Sequence, residues 1–144
     1  MKRLSLLTFV VLFGFILLQP VLAENFNTDT GKDKVETNLL LGIKSDNAGL
    51  RMSSAYYLGE LKSEKAVFHL IKMLRSETEE AARIIAALSL IKIEDPQGLF
   101  MVKRTAKFNE FDRVRKLSDQ FYTSYIIKKY ISQHPEKANM FAGL

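Results

Sequence analysis

The sequence predicts an all-α fold, a short α-solenoid of antiparallel helix pairs with about two and a half repeats. One motif recurs at a constant interval: an arginine followed by small or apolar residues, at Arg51, Arg83 and Arg115. Apolar residues three and four positions apart outline one face of successive helices, each about 12 residues long. Connections of about two to four residues leave no room for a strand. Because one helix pair cannot bury its apolar face alone, the pairs must stack.

Residues 1–23 have the features of a signal peptide. Lys2 and Arg3 precede an apolar run from Leu4 to Leu18, and Ala23 ends a small-residue cleavage pattern before Glu24. A helix of that length measures about 22 Å, whereas the hydrocarbon core of a bilayer is roughly 30 Å thick. We therefore expect cleavage, export to the periplasm or the medium, and no membrane attachment of the mature chain. An uncleaved membrane anchor is the alternative.

Composition excludes several classes of site. The chain has no cysteine, which excludes disulfides, cysteine zinc ligands and thiol catalysis. Without Lys2 and Arg3, 19 of the 21 basic residues remain against 16 acidic ones. This excess is too small to indicate a nucleic-acid partner, and we expect none.

A helical repeat domain is predicted for residues 33–132, between a flexible polar lead-in at residues 24–32 and a tail at residues 133–144 that Pro135 separates. Asp95 and Pro96 mark the sharpest helix start, because aspartate caps and proline lacks the N–H that the first turn would leave unpaired. Further caps are expected within Ser45–Asn47 and at Ser63 and Asn109. Thr78 or Ser76 should cap the central helix, and Ser76 with Glu79 fits a capping box. Helices are predicted over residues 33–44, 48–61, 64–75, 78–93, 96–107 and 110–132.

The apolar spacing also predicts which side chains point inward. In the central helix these include Ala87, which should face the packed interior. In the neighbouring helices they are Ala55, Leu58 and Leu61, then Val67, Leu70, Ile71 and Leu74, and finally Leu99, Phe100, Val102 and Ala106.

The first copy of the motif has Arg51, Ala55, Leu58 and Gly59, and the second has Ala82, Arg83, Ala86, Ala87 and Leu90 before Asp95 and Pro96. These copies resemble short HEAT-like repeats of the phycobilisome-lyase type. The resemblance covers residues 34–131 and implies a right-handed solenoid that serves as a scaffold or partner-binding module. The bilin attachment of the lyases does not follow from the repeat alone. The third copy departs from the pattern, since Asp119 stands in the position of Ala55 and Ala87. Tetratricopeptide repeats are the rival family. Their period is about 34 residues, whereas the arginines here recur every 32 residues, and such repeats lack the recurrent arginine.

The second helix of each pair should line the concave side, as in related solenoids. Six residues are expected there, off the buried stripe, and would form a mildly basic surface: Lys65, His69 and Lys72, with Gln97, Met101 and Arg104 one repeat later. An acidic partner would offset the repulsion between these cations. An ordinary solvated face is the alternative.

Two other groups of residues have alternative readings. The recurrent arginines could form a ligand-binding ladder, but pairing with an acid near the start of each arginine's own helix explains them better: Asp46, Glu79 or Glu80, and Asp112. Phe121 and Tyr125 in the last helix could form an aromatic patch for a partner or a second copy. Alternatively, Met140 and Phe141 of the tail fold back over that patch.

No catalytic, metal or cofactor site is predicted. His69 and His134 are the only histidines and lie far apart in the sequence, and neither a nucleophile motif nor a glycine-rich phosphate loop is present. We therefore expect an exported, non-catalytic scaffold that binds a protein or peptide. The alternatives are an enzyme or enzyme accessory acting on an envelope or chromophore substrate, and a structural homodimer formed through the last helix.

We predict that the mature protein begins at Glu24, because the cleavage pattern ends at Ala23. N-terminal sequencing of the exported product measures this directly. Recovery of the intact chain from Met1 in the membrane fraction would contradict cleavage and favour the anchor.

Overall fold

The computed structural model describes residues 28–137, with side chains from residue 31. The predicted signal peptide, the cleavage site and the tail residues Met140 and Phe141 lie outside this range. Within it there are six α-helices, short 3-10 turns and no strand, so the all-α prediction is confirmed. The elements are α1 Thr28–Gly42, α2 Ala48–Glu60, the 3-10 turn Glu64–Ala66, α3 Val67–Ser76, α4 Glu80–Ile93, α5 Pro96–Phe108 and α6 Asp112–Gln133.

Helix α1 begins at Thr28, ahead of the predicted start and inside the expected lead-in. By its contacts the chain divides after Lys34. Of the first unit, the structure describes only the helical residues Thr28–Lys34. The packed core belongs to the unit that begins at Val35.

Helix α4 is the centre of this unit and contacts α2, α3, α5 and α6. Its small residues permit this close approach: Ala86 and Ala87 are fully buried, as predicted for Ala87. On α2, Gly59 lies directly against Ser89, and a Cβ at Gly59 would come within 2.7 Å of the Ser89 Cα atom. Such a distance is too short for any side chain, so glycine is required there.

Side chains from the surrounding helices complete the core. The fully buried apolar residues include Ala55 and Leu58 of α2, Leu70 and Leu74 of α3, Leu90 of α4, Val102 of α5 and Val114 of α6.

Two of the inward predictions are wrong. Leu61 is exposed, because it follows the last residue of α2. Phe100 is 62% exposed. It lies two positions, or about 200° around the helix, from both Gly98 and Val102, which face the core. Three further predicted inward residues are only half-buried: Ile71, Leu99 and Ala106.

The caps follow the predictions only in part. Asn47 accepts a hydrogen bond from the Leu50 N–H at 3.0 Å, and Asp95 accepts two, from Gln97 and Gly98. The cap at Asp95 and the one predicted within Ser45–Asn47 are therefore confirmed. The serine caps and the capping box are wrong, because each hydroxyl has another partner: Ser63 donates to the Glu36 carboxylate at 2.5 Å, and Ser76 donates to the Lys72 carbonyl at 2.8 Å.

Asn109 also acts differently from the prediction. Its side chain accepts from the N–H of Phe111 at 3.0 Å, and α6 begins only at Asp112. The asparagine therefore forms a short turn before the helix instead of capping its first residue.

We predict that Ala87→Asp destabilises the protein by several kcal/mol, because it places an unpaired charge in the contact between helices. Ala81→Asp is the matched control: Ala81 is an exposed residue in the first turn of the same helix, where a negative charge is favourable. Urea unfolding of both variants measures the difference. Equal unfolding free energies would contradict the packing of α4.

Candidate partner-binding site

The six residues predicted for the binding surface all lie on the 3-10 turn, α3 and α5. Lys65, Lys72, Gln97 and Arg104 are exposed, and His69 and Met101 are half-buried. Lys65 stands apart from the rest, because its ammonium group pairs with the Glu36 carboxylate at 2.7 Å. That lysine and Ser63 together hold the pKa of Glu36 below its usual value. The other five residues line three neighbouring cavities.

The first cationic pocket has a volume of about 280 Å³ and contains His69 and Lys72. It lies where the loop before α2 meets α3. It is lined by Ile43, Lys44, Ser45, Asp46, Arg51, His69, Lys72, Met73, Ser76 and Glu77.

The second cationic pocket has a volume of about 200 Å³ and contains Met101 and Arg104. Its lining matches that of the first pocket one repeat later, with Arg104 in place of Lys72 and Arg83 in place of Arg51. The structure therefore brings the predicted residues together in two equivalent places. The pocket is lined by Leu74, Arg75, Arg83, Met101, Arg104, Thr105, Phe108, Asn109 and Glu110.

The three recurrent arginines, here called the arginine ladder, make one hydrogen bond in common. Each guanidinium donates to the backbone carbonyl six residues before it. Arg51 donates to Ser45 at 2.9 Å, Arg83 to Glu77 at 2.5 Å, and Arg115 to Asn109 at 2.6 Å. Because donors and acceptors recur together in every copy of the motif, the ladder is a feature of the scaffold.

The acid partners of the ladder differ from those predicted. Arg51 pairs with both carboxylate oxygens of Glu77, at 2.8 and 3.0 Å, and Arg83 pairs with Glu110 at 2.7 Å. Both acids lie in the loop after the next helix, not at the start of the arginine's own helix, so those two expectations are wrong. The third is right, since Arg115 contacts Asp112.

These bonds engage the guanidinium groups of the ladder within the fold. The Glu77 carboxylate raises the pKa of Arg51. The side chain of Arg83 is only 8% exposed, and its guanidinium carbon lies 4.9 Å from the centre of the Phe111 ring. The geometry supports the structural interpretation of the ladder.

The two pockets also contain cations that do not belong to the ladder. Within residues 28–137, Lys44, Lys72, Arg75 and Arg104 form no ion pair. They lie beside arginines that are neutralised by Glu77 and Glu110, so both pockets have a local excess of positive charge. Among the described residues that line the first pocket, Asp46 is the acid that forms no ion pair with an arginine or lysine.

His69 lies among these charges. Burial, with the nearby cations Lys44 and Lys72, lowers its pKa below the usual value. The folded protein therefore favours neutral imidazole. This preference stabilises the fold above about pH 6.5, and the stability falls as the pH drops toward the lowered pKa.

Two phenylalanines on the helices that carry the predicted binding residues are exposed, which was not predicted from the sequence. Phe68 is 73% exposed, and Phe100 stands one repeat later. They line a third cavity of about 480 Å³, here called the aromatic groove, with Ile71, Pro96, Gln97 and Met101. The signal available in the sequence was their position two residues from Leu70 and Val102, which puts them opposite the core.

The predicted aromatic patch on α6 is partly recessed. Phe121 and Tyr125 are half-buried and line a cavity of about 340 Å³ with residues of α2 and α4. Two ion pairs border that cavity, Glu60 with Lys92 and Lys62 with Glu94.

No protein-family model matches the chain, and no curated protein is significantly similar to it in sequence. In the part of the chain that the structure describes, no group of three or more metal-ligating side chains occurs. None of the helices described is both long and apolar enough to cross a membrane.

We predict that Arg83→Gln lowers the unfolding free energy by about 2–3 kcal/mol, the usual range for lost hydrogen bonds to a charged group. Arg113→Gln is the control, because Arg113 is exposed on α6 and lies outside the ladder. It should change stability by less than about 0.5 kcal/mol. Chemical denaturation measures both variants. A loss at Arg83 no larger than at Arg113 would contradict a structural ladder.

Proposed function

We propose that this protein is an exported, non-catalytic scaffold of HEAT-like repeats that binds an acidic protein or peptide across α3 and α5. The observation that carries the proposal is the pair of equivalent cationic pockets beside the aromatic groove. Lys72 and Arg104 occupy matching positions on neighbouring helices, and neither has an acid partner among the described residues.

The contrast with other cations of the chain supports this assignment. Lys62, Lys65 and Lys92 pair with glutamates. Arg51 and Arg83 pair with loop acids, and Arg115 pairs with Asp112 at the start of α6. Placing like charges on adjacent helices, as at Lys72 and Arg104, is mildly unfavourable, and an acidic ligand would remove this repulsion.

The exposed phenylalanines add apolar contact area next to the charges. Aromatic side chains are enriched at protein interfaces because a rigid ring buries a large area at low entropic cost. Phe68 and Phe100 flank the aromatic groove and lie one helical turn before Lys72 and Arg104. A ligand with both acidic and apolar groups would contact the cations Lys72 and Arg104 and the phenylalanines beside them.

The repeat architecture and export are parts of the same proposal. The recurrence of the arginine–carbonyl bonds supports stacking of like helix pairs. The right-handed sense is the one that the HEAT-like resemblance implies. Export rests on the signal-peptide pattern of residues 1–23, which also defines the compartment in which the partner would be met.

We predict that Lys72→Glu with Arg104→Glu weakens binding to acidic peptides about tenfold and flattens its salt dependence. The probe is an array of short synthetic peptides of equal length with graded charge. Stability should be almost unchanged, because exposed charges contribute little.

Arg113→Glu with Lys116→Glu is the matched control: it changes the net charge equally on exposed α6 positions that line none of the three cavities. If both double variants weaken binding equally, the effect depends on the net charge of the protein and not on Lys72 and Arg104. A protein without preference for acidic peptides would overturn the proposal.

A further inference from the structure

The two cationic pockets and the aromatic groove together define a ligand geometry. We propose that the partner presents a polyproline II segment with acidic residues three positions apart, one carboxylate in each cationic pocket and prolines on the aromatic groove. This inference rests on the proposed function and specifies the peptide that it binds.

The spacing of the pockets carries the first step. Helices α3 and α5 contact each other, and packed helices lie about 8–10 Å apart. Equivalent positions such as Lys72 and Arg104 are therefore separated by about that distance. A ligand that reaches both pockets needs two acidic groups at the same separation.

Backbone geometry then selects the conformation. A polyproline II helix has three residues per turn and a rise of about 3.1 Å, so residues i and i+3 point to the same side about 9 Å apart. In a β-strand, residues i and i+3 point to opposite faces, and i and i+2 are only about 7 Å apart. Of these two extended forms, polyproline II matches the pockets.

The charges of the pockets favour carboxylates. In the second cationic pocket Arg83 and Glu110 neutralise each other, whereas Arg75 and Arg104 have no acid partner in the part of the chain that the structure describes. In the first, Lys44 and Lys72 outnumber Asp46. Volumes of about 200 and 280 Å³ are large enough to admit an acidic side chain.

The aromatic groove supplies the matching apolar contact. Phe68 and Phe100 form a row beside the row of cations, displaced by one helical turn of about 5.4 Å. Proline-rich segments bind grooves lined with aromatic side chains because their backbone is already ordered before binding. A polyproline II segment crossing α3 and α5 would meet both rows at once.

The test compares short peptides of identical length and composition, each with two aspartates in a proline-rich background, by fluorescence anisotropy with the mature full-length protein. The isomer with aspartates at i and i+3 should bind about fivefold more tightly than the isomer with aspartates at i and i+2. Replacing either aspartate by asparagine should remove that advantage. Phe68→Ala should weaken binding, whereas Tyr57→Ala, an exposed aromatic of α2 outside the site, should not.

His69 reports directly on the first pocket. The charged groups that face it are Lys44, Asp46, Arg51, Lys72 and Glu77, and the centre of the Phe68 ring lies 5.8 Å from that of the imidazole. A bound aspartate favours the imidazolium, so the peptide should raise the pKa of His69 and bind more tightly at lower pH. NMR titration of the two histidine rings measures this, with His134, which lines neither pocket, as the reference.

The outcomes separate the two proposals. Equal affinity for the spacing isomers, with loss of binding in the Lys72→Glu, Arg104→Glu variant, would overturn the polyproline geometry and leave acidic-peptide binding intact. A pKa of His69 unchanged by saturating peptide would overturn occupancy of the first pocket. Binding to phosphatidylglycerol vesicles but to none of the peptides would overturn both proposals and assign the cations to a lipid surface.

Discussion

The hydrogen bond from each ladder arginine to the carbonyl six residues earlier is the contact on which the other features depend. Transferring a guanidinium from water into a packed interface is costly unless its donors find partners. Arg83 finds the Glu77 carbonyl, the Glu110 carboxylate and the Phe111 ring. The bond fixes the loop before α4 against the helix that follows it. The ion pair to Glu110 then connects that helix to the loop after α5.

The ladder also bears on where the proposed binding surface lies. Glu77 serves two arginines, its carboxylate binding Arg51 and its carbonyl accepting from Arg83. With the ladder arginines neutralised in this way, the cations that rim the pockets are the ones left for a ligand. In the proposed function, Lys72 and Arg104 would meet a ligand in pockets whose lining also includes Arg51 and Arg83 of the ladder.

Much of this arrangement could be predicted from the sequence, because it depends on local periodicity. The recurrence of the arginines, the burial of Ala87 and the cap at Asp95 each follow from spacing or from short-range chemistry. The partners Glu77 and Glu110 could not, since each lies beyond the helix that follows its arginine and depends on how the loops fold. Apolar character alone placed Phe100 in the core, whereas the helix turns it toward solvent.

The third copy shows how a register can hold at one position and change at another. Arg115 keeps the bond to the carbonyl six residues back, and Ser118 is fully buried like its counterpart Ala86. Asp119 is exposed where Ala87 is buried. Because no further helix pair follows α6 within the described residues, an aspartate at that position stays in water. The departure that obscured the third copy is therefore local.

The most direct test of the ladder is a double-mutant cycle on Arg51 and Glu77, using Arg51→Gln, Glu77→Gln and the double variant in chemical denaturation. Arg51 connects the loop before α2 to the loop after α3 through the Ser45 carbonyl and the Glu77 carboxylate. If its guanidinium and that carboxylate are energetically coupled, the double variant loses less stability than the sum of the single losses. Strictly additive losses would show that the two side chains act independently, and would contradict the ladder as the basis of the repeat.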